Sequence, residues 1–194
     1  MSDIKRAKTT YPVLDIIKNR WSPRSFSDKS ISTDGLNTII EAATWSFSAM
    51  NEQPWRYVIA QKGTPLFNAF LENLFPGNKP WNTQAAAFIL SIKKTNYTGT
   101  DKININALHD IGAANILLTL QANSMGIYTH VMEGYSKDEV KALLNLEEGL
   151  EPVVLIALGY PDIAQKLDEP FKTRELTPRT RKGLAEILLN PQLN

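Results

Sequence analysis

The sequence predicts an α+β protein, because stretches with helical spacing alternate with stretches typical of strands. The longest helical pattern runs from Ile105 to about Met125, and the clearest buried strand is the continuous apolar run Pro152–Tyr160. With 194 residues, of which 43% are hydrophobic, the chain can bury a sizeable core. No repeat, linker or low-complexity tract divides it, so residues 1–194 are predicted to form a single domain.

Prolines and capping residues predict the first elements. Residues 1–11 are expected to fray, and Pro12 suits the first turn of a short helix. Ser32 or Thr33 can cap a helix that runs to about Trp45.

The later elements follow from apolar spacing and from glycine and proline boundaries. Residues 162–178 show little periodicity and are left without a regular element. The predicted elements are the strand Trp55–Ala60, a helix over Gly63–Phe75, the strand Ala85–Ile92, the long helix ended by Gly126, the strand Ile127–Met132, a helix over Lys137–Leu146, and a short helix from about Lys182.

Composition excludes several classes of function. Lys and Arg number 21 against 20 Asp and Glu, so the chain lacks the basic field that nonspecific nucleic-acid binding requires. Zero cysteines exclude disulfides and thiolate nucleophiles, and the two histidines, His109 and His130, form no metal-binding motif. The first six residues lack a secretory apolar core, and no apolar run reaches bilayer length, so the cytoplasm is the predicted compartment.

Two basic segments at opposite ends of the chain are candidates for anion binding. Arg20, Ser22 and Arg24 lie at spacing two around a proline, which favours extended backbone and places them on one side. Such a group suits a phosphate or an electron-rich carbonyl edge, although a solvated pair of arginines is the alternative. Arg179 and Arg181 repeat the spacing beside another proline, where a simple basic tail is the alternative.

The junction between the first long helix and the first strand predicts a polar recognition loop. Ser48, Asn51 and Gln53 stand there on irregular backbone, and Pro54 keeps the preceding residue out of the right-handed helical region. An ordinary connection with solvated amides is the alternative. His109 and Asp110 are predicted to be surface or capping groups.

The amino-acid sequences of five segments resemble those of the nitroreductase family, the FMN-dependent NAD(P)H oxidoreductases. Ser48–Tyr57, with the sequence S-A-M-N-E-Q-P-W-R-Y, is similar to the family's S-A-x-N-x-Q-P-W-x-F segment. Arg20–Arg24 resembles its R-x-S-x-R element, and Val131–Tyr135 its segment over flavin N5. Asn78 precedes a strand as a family amide does, although an ordinary turn asparagine is the alternative. The late arginines resemble a second phosphate element.

The resemblance implies which residues bind FMN and assigns no side chain as a catalyst, since the flavin performs the chemistry. Arg20 and Ser22 would serve the phosphate and ribityl chain, and Arg24 would lie near N1 and the C2 carbonyl. The backbone at Glu133 would approach N5. The full implied set is Arg20, Trp21, Ser22, Arg24, Ser48, Ala49, Met50, Asn51, Gln53, Asn78, Met132, Glu133, Gly134, Arg179 and Arg181.

The resemblance also implies a mixed, mainly antiparallel sheet of four or five strands with helices on both faces, in an obligate homodimer. Two FMN molecules would lie at the interface, and the segment after Tyr160 would extend around the partner. The implied activity passes hydride from NAD(P)H to a nitroaromatic, quinone or similar acceptor. The alternatives are a specialised relative, such as a dehydrogenase, dehalogenase or flavin-fragmenting enzyme, and a non-catalytic FMN-binding protein.

Four positions depart from common family residues. Trp21 replaces a basic residue, Phe47 a proline, Met50 a glycine or threonine, and His130 a tryptophan. The last three predict an unusually lined pocket. Because the chain is short, an open cleft with broad specificity is expected.

Overall fold

The computed structural model describes residues 3–189, which form one antiparallel sheet with helices on both faces. The strands are β1 (Trp55–Gln61), β2 (Ala87–Lys94), β3 (Tyr128–Met132) and β4 (Leu150–Gly159). The helices are α1 (Asp15–Asn19), α2 (Thr33–Thr44), α3 (Pro65–Glu72), α4 (Lys79–Asn82), α5 (Ala107–Ser124), α6 (Lys137–Leu143), α7 (Phe171–Leu176) and α8 (Leu184–Ile187). Short 3₁₀ helices cover Asp3–Lys5, Ala49–Asn51 and Ala164–Lys166.

The sheet has the order β1-β2-β4-β3, and all three pairings are antiparallel. Strand β4 therefore lies inside the sheet, as its continuous apolar sequence predicts. The register pairs Ile89 with Ile59 on one side and with Ile156 on the other. The predicted α+β class and the helices on both faces are confirmed.

Successive residues of β2 enter two different cores, because side chains alternate across a strand. Ile89 packs with α2 and α5 in the first core, whereas Phe88 and Leu90 pack with α3 and α4 in the second. Aromatic rings are concentrated in the second core, where Phe67 stacks on Phe88 with ring centroids 4.7 Å apart.

The two long helices pack together on the first face, and both begin and end close to the predicted bounds. The Ser32 hydroxyl accepts a hydrogen bond from the Gly35 N–H at 3.1 Å, which confirms Ser32 as the cap of α2. Helix α5 ends before Gly126, whose φ of 74° suits glycine. The apolar residues of α5 are not all buried in the core, since Leu108 and Ile116 remain exposed.

Three predictions near the chain ends are wrong. Residues 3–11 do not fray, since Lys5 is buried in a 3₁₀ helix. Helix α1 begins at Asp15, with Leu14 at its cap, so Pro12 lies outside its first turn. The region without predicted structure contains α7, whose Glu175 is buried. No helix within residues 3–189 combines the length and the apolar character needed to cross a bilayer.

Candidate cofactor site

The two ends of the chain meet at a basic cavity of about 230 Å³. Arg20, Ser22 and Arg24 reach it from the segment after α1, and Arg179 and Arg181 reach it from the segment after α7. The two predicted basic segments are therefore brought together, although more than 150 residues separate them in sequence. The complete lining is Lys5, Arg20, Trp21, Ser22, Arg24, His130, Arg179 and Arg181.

The cavity concentrates positive charge. Within residues 3–189, no carboxylate oxygen lies within 4 Å of a guanidinium nitrogen of its four arginines. Burial lowers the pKa of Arg20, and the nearby positive charge of Arg181 lowers it further. Burial also lowers the pKa of Arg179, again reinforced by Arg20 and Arg181. An anion here would relieve the mutual repulsion of guanidinium groups, which remain protonated in proteins.

The backbone of the first basic segment is fixed by Glu175 of α7. Both oxygens of this carboxylate lie 3.1 Å from the backbone nitrogen of Arg24, and one also accepts a hydrogen bond from the backbone N–H of Ser25 at 3.2 Å. The Ser25 hydroxyl donates to the Ile163 carbonyl at 2.7 Å. Glu175 is only 5% exposed, and this burial raises its pKa. It fixes the backbone at Arg24 and Ser25. Nothing in its local sequence distinguished it from the surrounding charged residues.

Trp21 forms part of the cavity wall through its ring. The indole is 9% exposed and packs edge-on against Tyr128, with ring centroids 6.2 Å apart. The ammonium nitrogen of Lys5 lies 5.1 Å from the centre of the Trp21 ring. Where a second basic residue is common in the family, this chain thus places an aromatic ring that carries a lysine over its face.

His130 is a neutral part of the same wall. Its Nδ1 lies 2.9 Å from the Pro23 carbonyl oxygen, so this nitrogen carries the proton and donates it. Burial lowers the pKa of His130 to about 4. The imidazole packs against Trp81 at 4.5 Å, and the Arg24 guanidinium lies 5.7 Å from the centre of that Trp81 ring. His130 therefore links β3, α4 and the first basic segment without adding charge at neutral pH.

Asn78 and Gly134 form a second group of predicted site residues. The Asn78 amide donates to the Gly134 carbonyl at 3.2 Å, and the Phe75 N–H donates to the same oxygen at 2.9 Å. A Cβ on Gly134 would lie 2.4 Å from the Asn78 amide nitrogen, so a side chain here requires the Asn78 amide to move. The sequence predicted both residues as flavin contacts, and the structure brings them into direct contact with each other.

Met132 and Glu133 differ in what they can offer a ligand. Met132 is 4% exposed, and its sulfur accepts a hydrogen bond from the Asn82 amide at 3.2 Å, so its side chain belongs to the core. The Glu133 carboxylate is exposed. The backbone of this turn is therefore the part that the core fixes. Because α4 and β3 carry both this group and the Trp81–His130 pair, the two groups share one side of the fold.

The Ser48–Gln53 loop has unusual backbone conformations. Met50, Asn51 and Gln53 have φ values of 53°, 56° and 48°, in the left-handed region that side chains disfavour. Each such residue costs on the order of 1 kcal/mol. The Ser48 hydroxyl accepts from the Gln53 N–H at 3.1 Å and holds the loop closed.

Asp110 anchors this loop from the first turn of α5. It is 1% exposed, and one carboxylate oxygen accepts from the Ala49 N–H at 3.0 Å. The other oxygen lies 3.0 Å from His109 Nδ1, and the Phe47 ring packs beside the His109 ring at 5.6 Å. The prediction of Asp110 as a capping or surface group missed this role, because the contact spans 61 residues.

The loop and the basic cavity are separate within one chain. Across residues 3–189, no hydrogen bond, ion pair or ring contact joins Ser48–Gln53 to the cavity residues. An apolar cavity of about 300 Å³ lies along α5, beside Arg20 and Ser22. Its remaining lining is Leu108, Ile111, Gly112, Asn115, Ile116, Thr119, Thr129, Val131, Val153 and Val154.

Comparison with known proteins identifies the family. The sequence profile described as the Nitroreductase family matches residues 17–160 of this chain. The chain belongs to the nitroreductase family. An oxidoreductase containing FMN, known from its crystal structure, is 30% identical in sequence to this chain. The match covers 96% of both chains, and the two structures superpose with a TM-score of 0.91.

Two curated relatives of this nitroreductase-family chain carry names that specify a nicotinamide donor. An Archaeoglobus fulgidus protein with the provisional name NADH dehydrogenase/NAD(P)H nitroreductase is 28% identical over 152 residues, which are 76% of this chain and 84% of the relative. The major NAD(P)H-flavin oxidoreductase of Aliivibrio fischeri is 26% identical over 96 residues, or 47% of this chain and 44% of that protein. The matched family region ends before Glu175, Arg179 and Arg181.

Proposed function

We propose that this nitroreductase-family chain is an FMN-dependent oxidoreductase that takes electrons from NAD(P)H and passes them to nitroaromatic, quinone or similar acceptors. The observation that carries the proposal is the convergence of four arginines from both chain ends on one basic cavity. The similar oxidoreductase whose crystals contain FMN supports this choice of cofactor. The names of the two curated relatives support a nicotinamide donor.

The basic cavity would bind the FMN phosphate. Arg20, Arg179 and Arg181 offer planar guanidinium donors that suit phosphate oxygens, and the Ser22 hydroxyl adds another donor. Arg20 contacts Ser22 only weakly, at 3.5 Å, so its guanidinium remains available to a ligand. A phosphate dianion would neutralise charges that now repel one another.

The surface from Arg24 to Gly134 would bind the flavin ring. When bound, FMN supplies the chemistry by accepting a hydride from NAD(P)H and giving electrons to the acceptor. Arg24 would stabilise negative charge on the pyrimidine edge, since its backbone is held by Glu175 and its guanidinium lies near Trp81. The side-chain amide nitrogen of Asn78 donates a hydrogen bond to the Gly134 carbonyl, which leaves the side-chain oxygen of Asn78 to accept a hydrogen bond from the ligand.

We further propose that the enzyme is a homodimer in which the Ser48–Gln53 loop of one subunit approaches the FMN of the other. This loop does not contact the basic cavity of its own chain, and large apolar side chains beside it and along α5 are exposed to solvent. Such patches mark interfaces. They comprise Trp45, Phe47, Met50, Ile103, Ile105, Leu108, Ile116 and Val131.

Anaerobic reduction of the purified protein tests the proposed activity. We expect flavin absorbance in the visible spectrum, bleaching on addition of NADH or NADPH, and recovery on addition of a quinone or nitroaromatic compound. Tight FMN binding without bleaching would instead support a non-catalytic FMN-binding protein. Bleaching without turnover of these acceptors would support a specialised dehydrogenase, dehalogenase or flavin-fragmenting enzyme. The cytoplasmic location remains a prediction from the sequence.

A further inference from the structure

Lys5 is buried beside the basic cavity, in a segment outside the region that the family profile matches. It is 7% exposed, and lysines are seldom buried to this degree without a partner. Burial lowers the pKa of Lys5, the negative charge of Glu175 opposes this shift, and the positive charges of Arg24 and Arg179 add to it. A buried cation with two arginines beside it requires a structural explanation.

The side chain of Lys5 fastens the end of α7. Its Nζ donates to the Arg174 carbonyl at 2.9 Å and to the Thr177 carbonyl at 2.6 Å. These carbonyls belong to the carboxyl-terminal turn, where helix carbonyls lack partners and the helix dipole favours a cation. Lys5 therefore ties the amino terminus to the segment that leads directly to Arg179.

The backbone of Lys5 orients the guanidinium group of Arg179. One nitrogen of that group donates to the Lys5 carbonyl at 3.0 Å and to the Lys18 carbonyl at 3.1 Å. Side chain and backbone of one residue thus hold the same segment at two points, Thr177 and Arg179. Movement of Lys5 would release both points together.

We propose that Lys5 is a positioning residue of the phosphate site, which acts by holding Arg179 in the basic cavity. This inference rests on the proposed binding of FMN. Two of the three ammonium N–H groups are committed to carbonyls at the end of α7, and the ammonium nitrogen lies over the Trp21 ring, so the effect of Lys5 passes through Arg179.

Flavin binding with and without the phosphate tests this role. For Lys5→Met we expect the FMN dissociation constant to rise about 10-fold, because the segment that leads to Arg179 loses the ammonium hydrogen bonds at Arg174 and Thr177. The dissociation constant of riboflavin, which lacks the phosphate, should change less than about 2-fold. A general loss of structure would weaken both ligands equally. Lys8→Met, at an exposed lysine of the same segment, is the matched control and should leave both constants unchanged.

A double-mutant cycle separates positioning from direct phosphate contact. If Lys5 acts through Arg179, the Lys5→Met/Arg179→Ala protein should bind FMN no more weakly than Arg179→Ala alone. Additive losses would overturn the positioning role, as would an unchanged FMN-to-riboflavin ratio in Lys5→Met. If the wild-type protein itself fails to prefer FMN, the proposed function fails first. Should Lys5→Met not fold, Lys5→Gln, which keeps one amide donor, is measured by the same criteria.

Discussion

The basic cavity and the Ser48–Gln53 loop are built in opposite ways. The cavity is assembled from the two ends of the chain by buried contacts such as Lys5 to Arg174, which spans 169 residues. The loop is closed locally by Ser48 and Gln53, five residues apart, and its backbone lies in strained conformations. The comparison teaches that charge placement here depends on tertiary packing, whereas loop shape depends on local hydrogen bonds and one anchor, Asp110.

Removal of a cavity arginine should give the largest effect. Arg20→Ala and Arg181→Ala should each weaken FMN binding about 100-fold, because each deletes charge-assisted hydrogen bonds to the phosphate. Both proteins should keep the oligomeric state of the wild type. Isothermal titration and size-exclusion chromatography measure the two properties, and Lys102→Ala, at an exposed lysine, is the control. Full flavin content in both variants would refute the phosphate assignment.

Acid should lower the free energy of unfolding through protonation of His130. Its pKa is about 4 in the folded protein, below the ordinary value of 6.5, so the unfolded chain binds the extra proton more readily. The contribution of His130 to the unfolding free energy is therefore fully present above pH 6.5 and is lost progressively toward pH 4. We expect His130 to account for about 3 kcal/mol of this loss.

Urea unfolding between pH 4 and 8 measures the contribution of His130. His130→Gln should flatten the profile, and His109→Gln, at an exposed histidine, should retain it. Equal profiles for the His130→Gln and wild-type proteins would show that this imidazole does not carry the pH dependence.

Substitution of Gly134 tests the contact between Asn78 and the turn after β3. Gly134→Ala should lower the unfolding free energy by about 1.5 kcal/mol, because the new Cβ would collide with the Asn78 amide. Gly134→Ala/Asn78→Ala should recover part of this loss, since the colliding group is removed. Thermal unfolding of the four proteins measures the coupling, and additive effects of the two substitutions would contradict the contact.

Relief of strain in the loop should give the smallest effect, with the opposite sign. Met50→Gly should raise the unfolding free energy by about 0.5 kcal/mol, because glycine adopts a φ of 53° without steric cost and this gain exceeds its extra entropy in the unfolded chain. Ala49→Gly, at a neighbour outside the left-handed region, should destabilise the protein. If both substitutions destabilise equally in urea, the loop does not store backbone strain.

Sequence patterns predicted the elements that are marked by periodic apolar residues or by local capping interactions. Spacing placed α5 and β4 close to their observed positions, and capping chemistry identified Ser32. The pattern of Arg20, Ser22 and Arg24 predicted one shared side, which the cavity confirms. Their individual roles in binding FMN stay predictions.

Sequence patterns failed where a distant contact decides the structure. The prediction that residues near the amino terminus fray was wrong because the partners of Lys5 lie 169 and 172 residues away. Helix α7 has only six residues, too few for a periodic signal, and Glu175 holds it to the backbone of the first basic segment. Asp110 was missed for the same reason, since only the fold brings it to Ala49.

The affinity of the wild-type protein for FMN relative to riboflavin tests the central claim most directly. The two ligands share the ring and the ribityl chain and differ in the phosphate, so their ratio isolates the basic cavity. We predict that FMN binds at least about 100-fold more tightly, as expected for two or more charge-assisted contacts, and that the ratio falls as salt increases. Equal affinities at low salt would contradict the claim that the two chain ends meet to bind a phosphate.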